Sequence, residues 1–186
     1  SSSDMNERKA EYERQYGRYR NTPQPQLTAA KLHVELYPDE QQVSIRATYT
    51  LLNRDTVPID SIHIGSVSGI SPTEVKFNRP ATAVQIDKEL NHSIYALKQP
   101  LRPGDSLQLH FAVNYKQAGF RHSSTNALVV KHGTYFTNKD LMPAIGYQRF
   151  RELNDAVIRK KCKLAARPAL PSLYDPEARK IPVSTD

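Results

Sequence analysis

The sequence predicts an all-β fold, an antiparallel β-sandwich with a short N-terminal helix before it and an irregular basic C-terminal tail after it. Apolar and polar residues alternate over Leu32–Tyr37 and Val43–Leu51, on either side of a polar turn at Pro38–Gln41. Such alternation around a short turn indicates an antiparallel hairpin with one buried face. The segment Leu107–Tyr115 alternates in the same way after a turn cluster that begins at Pro100. Several such segments separated by short turns are typical of a sandwich.

The predicted strands number about eight or nine, enough for two sheets that pack face to face. They are Leu32–Tyr37, Val43–Leu51, Ile59–Ile64, Val75–Phe77, Ala83–Ile86, His92–Leu97, Leu107–Tyr115, Ala127–Val130 and Thr134–Thr137. A chain of 186 residues with 38% hydrophobic residues is long enough to bury a core. The sequence contains no apolar run near the roughly 20 residues that span a membrane.

A helix is predicted before the sandwich, over Asp4–Arg20, and its tyrosines indicate how it packs. Tyr12, Tyr16 and Tyr19 follow the spacing i, i+4 and i+7, which puts them on one helix face. That face is expected to lie against the rest of the protein, because a tyrosine ring can be buried while its hydroxyl stays polar. The predicted parts are a tag remnant with an amphipathic helix and linker (1–22), the β-sandwich domain (23–147), and a short helix with a proline-rich basic tail that leads to a missing downstream domain (148–186).

The tail carries most of the basic excess. The net charge is +7, and residues 146–186 hold 9 Lys and Arg against 5 Asp and Glu. The run Arg159–Lys163 is interpreted as a solvated helix face, although contact with phosphates or an anionic membrane surface stays open. The β part lacks a basic stripe interleaved with aromatics, so nucleic acid is not favoured as a partner. The lone Cys162 excludes an intramolecular disulfide and is taken as an incidental thiol.

The stretch 132–153 reads HGTYFTNKDLMPAIGYQRFREL, where aromatics stand among glycines and a proline that fix the backbone path. It resembles a segment of bacterial zinc metallopeptidases of the aminopeptidase N family (gluzincins), in particular members joined to transporter-permease-like membrane segments. In that subgroup N-G-T-F/Y-F-N is followed by P-x-I-G-Y and R-E-L. His132 replaces the first Asn here, and Cys162-Lys163 stands where an aromatic-Gly pair is usual.

Two earlier segments resemble the same family. One is Lys31–Thr50, reading KLHVELYPDEQQVSIRATYT, and the other is Pro100–Phe111, reading PLRPGDSLQLHF. The three motifs occur in the family's order, and the resemblance covers roughly residues 10 to 171. It implies the saddle-like N-terminal β domain of a zinc aminopeptidase-like protein, whose parent is either an active peptidase or an inactive relative.

The resemblance also implies partners, a cofactor and a location. The domain would pack on a downstream catalytic domain of the same chain and help shape the cleft for a peptide substrate. Zinc is expected in that catalytic domain, and no cofactor, metal ligand or catalytic residue in this chain. Upstream transmembrane segments would attach the parent to a bacterial inner membrane. Tyr135, Phe136, Tyr147 and Arg151 are the candidate contacts at the domain interface or cleft, and the alternative that they close the sandwich core stays open.

Catalytic motifs known for zinc peptidases are absent from the sequence. The family binds zinc through H-E-x-x-H, whereas no two histidines here are closer than ten residues apart. The six are His33, His63, His92, His110, His122 and His132. Strands can bring distant histidines together, so an unconventional site stays open.

An independent sandwich module that binds a protein or a glycan is the alternative function. It predicts a well-covered surface with a ligand groove near Gln117–Asn126. The peptidase-like domain predicts instead an exposed apolar patch near residues 133–153 that another domain covers.

Overall fold

The computed structural model describes residues 1–66, 69–116, 129–131, 134–136, 142–167 and 183–185, with backbone alone for the three short segments at 129–131, 134–136 and 183–185. Contacts divide the chain into two compact units. The helical unit comprises Ser1–Thr22 and Gly146–Arg179, and the sandwich unit comprises Pro23–Ile145 and Lys180–Asp186. The boundaries 1–22, 23–147 and 148–186 inferred from the sequence stay a prediction.

The helical unit is built around the predicted tyrosine-bearing helix. Its elements are α1 (Ser2–Tyr16), a 3-10 turn (Gly17–Tyr19), a second 3-10 turn (Arg149–Arg151) and α2 (Ala156–Lys161). A capping box begins α1, because the Ser1 hydroxyl accepts from the Asp4 N–H at 3.3 Å while the Asp4 carboxylate accepts from the N-terminal amine. Tyr12 and Tyr16 are buried and Tyr19 is half-buried, as the shared helix face predicts.

The sandwich unit consists of two main sheets. Its strands are β1 (Gln26–Tyr37), β2 (Gln42–Leu52), β3 (Ile59–Gly65), β4 (Thr73–Phe77), β5 (Ala81–Asp87), β6 (His92–Leu101), β7 (Ser106–Lys116), β8 (Val129–Lys131), β9 (Thr134–Phe136), β10 (Ala144–Ile145) and β11 (Val183–Thr185). One sheet has the order β11-β1-β2-β7-β4, the other β10-β3-β6-β5, and β8 pairs with β9. All pairs are antiparallel except β1 with β11. The predicted all-β sandwich is thereby confirmed.

The core lies between the two main sheets. Alternation along β2 and β7 turns one face inward, where Ile45, Tyr49 and Leu109 are fully buried. The facing sheet contributes Ile62 and Leu101, also fully buried, to the same apolar cluster. The opposite faces of β1, β2 and β7 are left for polar side chains, as period-two alternation requires.

The turn predicted from Pro100 begins later than the sequence indicates. Strand β6 continues through Pro100 to Leu101, because Leu101 is buried and pairs with Ile59. The buried Asn53 side chain donates to the Leu101 carbonyl at 2.9 Å and holds the strand end in place. The turn itself passes through Gly104, whose φ of +84° favours glycine.

Two short strands were not predicted. Strand β10 adds to β3. Strand β11 lies in the C-terminal tail, which the sequence predicts to be irregular, and it pairs in parallel with β1. Pairing with the edge of an existing sheet satisfies backbone groups irrespective of side-chain pattern, so a strand of two or three residues leaves little trace in the sequence. The predicted loop at Gln117–Asn126 lies outside the described residues.

Candidate functional site

The four candidate contact residues fall in two places. Tyr135 and Phe136 lie on β9, for which the structure describes the backbone alone. Tyr147 and Arg151 belong to the helical unit, where their side chains pack among its own residues. Their contact with another domain stays a prediction.

Tyr147 is fixed on three sides within the helical unit. Its ring stacks on that of Tyr12, with centroids 5.1 Å apart and planes 5° from parallel. The Arg20 guanidinium lies 5.4 Å from the ring centroid, and the hydroxyl donates to the Glu152 carboxylate. Burial and then the bond to Glu152 raise the pKa of Tyr147, so it stays protonated and keeps donating.

Arg151 also packs on the Tyr12 ring. Its guanidinium carbon lies 3.7 Å from the Tyr12 ring centroid, and the residue is only 7% exposed. This is the geometry of a cation–π contact, which strengthens where water is excluded. Burial lowers the pKa of Arg151 and raises that of Tyr12. The Tyr12 hydroxyl also accepts from the Gln148 backbone N–H at 2.9 Å, which fixes the chain just before Arg151.

Glu152 connects three segments of the helical unit. Two N–H groups of Arg20 donate to one carboxylate oxygen at 2.6 and 3.1 Å, and the Arg167 guanidinium lies 3.6 Å from the other. Glu152 is 4% exposed, so these charges act in a medium that screens them weakly. The bond to Glu152 raises the pKa of Arg20.

A second ion pair joins α1 to α2. Two N–H groups of Arg159 donate to the two Glu13 carboxylate oxygens at 2.7 and 2.8 Å, in the bidentate geometry that suits arginine. The same guanidinium donates to the backbone carbonyls of Leu153 and Ala165. The prediction of a solvated helix face holds for the lysines after Arg159 but is wrong for Arg159, which is 4% exposed.

The tyrosine stack and the two ion pairs, here called the helical-unit cluster, hold separate chain segments together. Each of its buried carboxylates, Glu13 and Glu152, is paired with at least one guanidinium and is thereby engaged in a contact between chain segments. The sequence predicts the tyrosine face of α1 but not these ion pairs. Glu13 pairs with Arg159 and Arg20 pairs with Glu152, each more than 130 residues away, so no local spacing indicates them.

Removing the Tyr147 hydroxyl tests whether the cluster stabilises the helical unit. Tyr147→Phe is expected to lower the free energy of unfolding of the helical unit by about 1–2 kcal/mol, because buried Glu152 loses one donor while the ring stack remains. Urea denaturation monitored by circular dichroism measures the change. Tyr19→Phe, at a half-buried residue, is the matched control and is expected to change stability less. Equal effects of the two variants would contradict the role given to Tyr147.

A buried histidine pair lies in the sandwich unit. His63 Nδ1 and His92 Nε2 are 2.9 Å apart, and both residues are at most 1% exposed. Burial lowers the pKa of His63 to about 4. Within the described residues no group of three His, Cys, Asp or Glu side chains could hold a metal ion. None of the described helices is long and apolar enough to cross a membrane.

The chain was compared with known proteins. No family model and no curated protein matches it. It is similar to a solved M1 zinc metallopeptidase from Deinococcus radiodurans, with a TM-score of 0.38 and 22% identity over 49% of this chain and 20% of that chain. It is also similar to yeast leukotriene A4 hydrolase in complex with bestatin, with a TM-score of 0.41 and 14% identity over 66% of this chain and 21% of that chain. The chain thus spans about a fifth of the length of these solved structures.

Proposed function

We propose that this chain is the non-catalytic N-terminal β domain of a membrane-associated bacterial zinc aminopeptidase-like protein. In this role it packs against the catalytic domain and helps shape the cleft that receives a peptide substrate. Zinc would be bound by that catalytic domain. Transmembrane segments elsewhere in the parent would attach it to the inner membrane.

The position of the family-like motifs in the fold carries the proposal. The motif Lys31–Thr50 forms the hairpin of β1 and β2, and the motif Pro100–Phe111 runs from the end of β6 into β7. Strand β2 pairs with β1 on one side and β7 on the other, so both motifs build one continuous half of the sandwich. The two segments that resemble one family in sequence therefore lie side by side in the fold. Isolated strands that resembled the family by chance would not need to be neighbours.

Strand β5 offers a surface for the catalytic domain. It ends its sheet, and every residue from Ala81 to Ile86 is exposed, including Val84 at 64% and Ile86 at 55%. A long edge strand with exposed apolar side chains invites pairing with other chains unless something covers it. In the predicted patch near residues 133–153, Phe150 is 49% exposed, and part of that patch lies outside the described residues.

The reading frame of the parent tests the proposal directly. Sequencing beyond Asp186 is expected to show an H-E-x-x-H motif with a distal glutamate, and sequencing upstream is expected to show apolar spans of about 20 residues. A downstream frame without a metal motif would contradict the proposal. The chain would then be an independent binding module.

Substitution on β5 tests the docking surface. Val84→Ser combined with Ile86→Ser is expected to weaken association with the separately produced catalytic domain by at least about tenfold, because apolar contact area is lost. Stability should change by no more than about 0.5 kcal/mol, since both side chains are exposed. Leu36→Ser combined with Val57→Ser removes two exposed apolar side chains elsewhere and is the matched control. Equal weakening by both double variants, measured by calorimetry, would exclude β5 as the docking surface.

A further inference from the structure

A groove crosses the outer face of the five-stranded sheet. It has a volume of about 590 Å³ and is lined by side chains from β1, β2, β4 and β7. This volume lies within the range of small-molecule sites in proteins. The lining side chains are Lys31, His33, Arg46, Thr48, Glu74, Lys76 and His110, with Ala47 and Phe111 beside them.

Strand register explains why the groove is concave and basic. Thr48 pairs with Lys31 on one side and His110 on the other, and His110 pairs in turn with Lys76. This places four side chains in one row across four strands, with the short ones in the middle. Thr48 and His110 are half-buried and hydrogen-bonded to each other at 2.9 Å, so they form a floor. The longer cationic side chains lie on the two sides of this floor, Lys31 on one and Lys76 on the other, and these two sides are called the banks of the groove.

The groove carries more cations than carboxylates. Arg46 and Lys76 form no ion pair or hydrogen bond with any described side chain, and Arg46 interacts with Glu35 only electrostatically, at longer range. Against the three cations of the lining stands one carboxylate, that of Glu74, and Glu35 lies just outside, where it contacts His33 at 3.2 Å. An excess of cations above a hydrogen-bonding floor is complementary to an anion.

The two banks lie too far apart for one small anion. Lys31 and Lys76 are three strand steps apart, which corresponds to about 14 Å between their backbones. A single phosphate near one bank leaves the other unused, whereas linked phosphates contact both. Arginine favours phosphate oxygens because its planar guanidinium donates two parallel hydrogen bonds.

The backbone beside the groove is unusual at Glu74. Strand β4 has one residue more than β7 between the pairs Thr73–Ala112 and Lys76–His110, which is a β-bulge. Glu74 takes a φ of +53°, which costs a non-glycine residue about 1–2 kcal/mol. Bulges and strained residues cluster at sites where the fold must aim a side chain, here Lys76 towards the groove.

We propose that this groove binds a soluble ligand that carries two or more linked phosphate groups. Arg46 and Lys31 contact one end of it, Lys76 contacts the other, and the Thr48 hydroxyl and His110 imidazole contact its centre. This binding site belongs to the sandwich unit and does not depend on the proposed peptidase parent.

Calorimetric titration of the full 186-residue chain with sodium tripolyphosphate at constant ionic strength tests the proposal. Saturable binding to one site is expected. Arg46→Gln combined with Lys76→Gln is expected to weaken it by at least about tenfold, because two charge-assisted contacts are lost. Thr48→Val keeps the charge and shape and is expected to weaken it about fivefold. Circular dichroism should show both variants folded, since the replaced side chains are exposed or half-buried.

The control removes equal charge from a second cleft. Arg79→Gln combined with Arg102→Gln alters a cleft of about 410 Å³ that also holds Asp105. The affinity of this control variant for tripolyphosphate is expected to stay within about twofold of the affinity of the unmodified chain, since salt screens general charge effects. The proposal is overturned by an absence of saturable binding, by equal weakening in this control, or by an unchanged affinity of Thr48→Val. Binding only to vesicles of anionic lipid, or tighter binding of a hexaglutamate peptide, would overturn it as well.

Discussion

Replacing Arg159 with methionine is expected to destabilise the helical unit by about 3–5 kcal/mol, because the change leaves the Glu13 carboxylate buried without its partner. The side chains of the pair are 5% and 8% exposed, so water compensates little for the loss. The carbonyls of Leu153 and Ala165 lose a charged donor at the same time. Urea denaturation and hydrogen exchange of the α1 amides would both measure the change.

Two further variants separate this buried pair from ordinary surface charges. Glu13→Leu combined with Arg159→Met is expected to recover most of the loss, since it leaves no unpaired buried charge. Arg14→Met also removes an arginine with two carboxylate partners, but that arginine is exposed, so the cost should stay below about 1 kcal/mol. If Arg159→Met costs no more than Arg14→Met, the buried pair does not hold the unit together.

The sandwich could be predicted because its determinants are local. Each strand of the β1–β2 hairpin records its buried face as period-two alternation, and the register follows from the short turn between them. The same rule placed β7, whose five alternating apolar residues are all buried as predicted, namely Leu107, Leu109, Phe111, Val113 and Tyr115. Burial of one sheet face is a repeated requirement, so it leaves a pattern that many residues share.

The charged contacts could not be predicted in the same way. The partners Glu13 and Arg159 are 146 residues apart, and each looks like one of many exposed charges on its own helix. The basic groove has the same origin, since Lys31, Thr48 and Lys76 come to lie in one row across the sheet only through strand order. A single interaction of this kind needs two residues and leaves no period in the sequence.

Acidification is expected to destabilise the sandwich unit through His63. Burial lowers the pKa of His63 from its ordinary value of 6.5 to about 4, so the folded protein resists its protonation. Between these two values the unfolded chain binds the proton and the folded chain does not. Stability is therefore fully present above pH 6.5 and decreases as the pH falls towards 4.

The expected loss between pH 7 and pH 5 is about 2 kcal/mol for this one group. The interval is informative because most carboxylates stay ionised across it. Urea denaturation of the sandwich unit at several pH values measures the slope.

Replacing one histidine at a time identifies the source of that slope. His63→Gln removes the titrating group and is expected to flatten the dependence of stability on pH between 7 and 5, even if it lowers stability throughout. His33→Gln is the matched control, because His33 is exposed at the surface and its loss should leave the slope nearly unchanged. A slope that survives in His63→Gln would assign the acid sensitivity to other groups. A flat profile in the unmodified chain would mean that His63 accepts a proton in the folded state as readily as in the unfolded one.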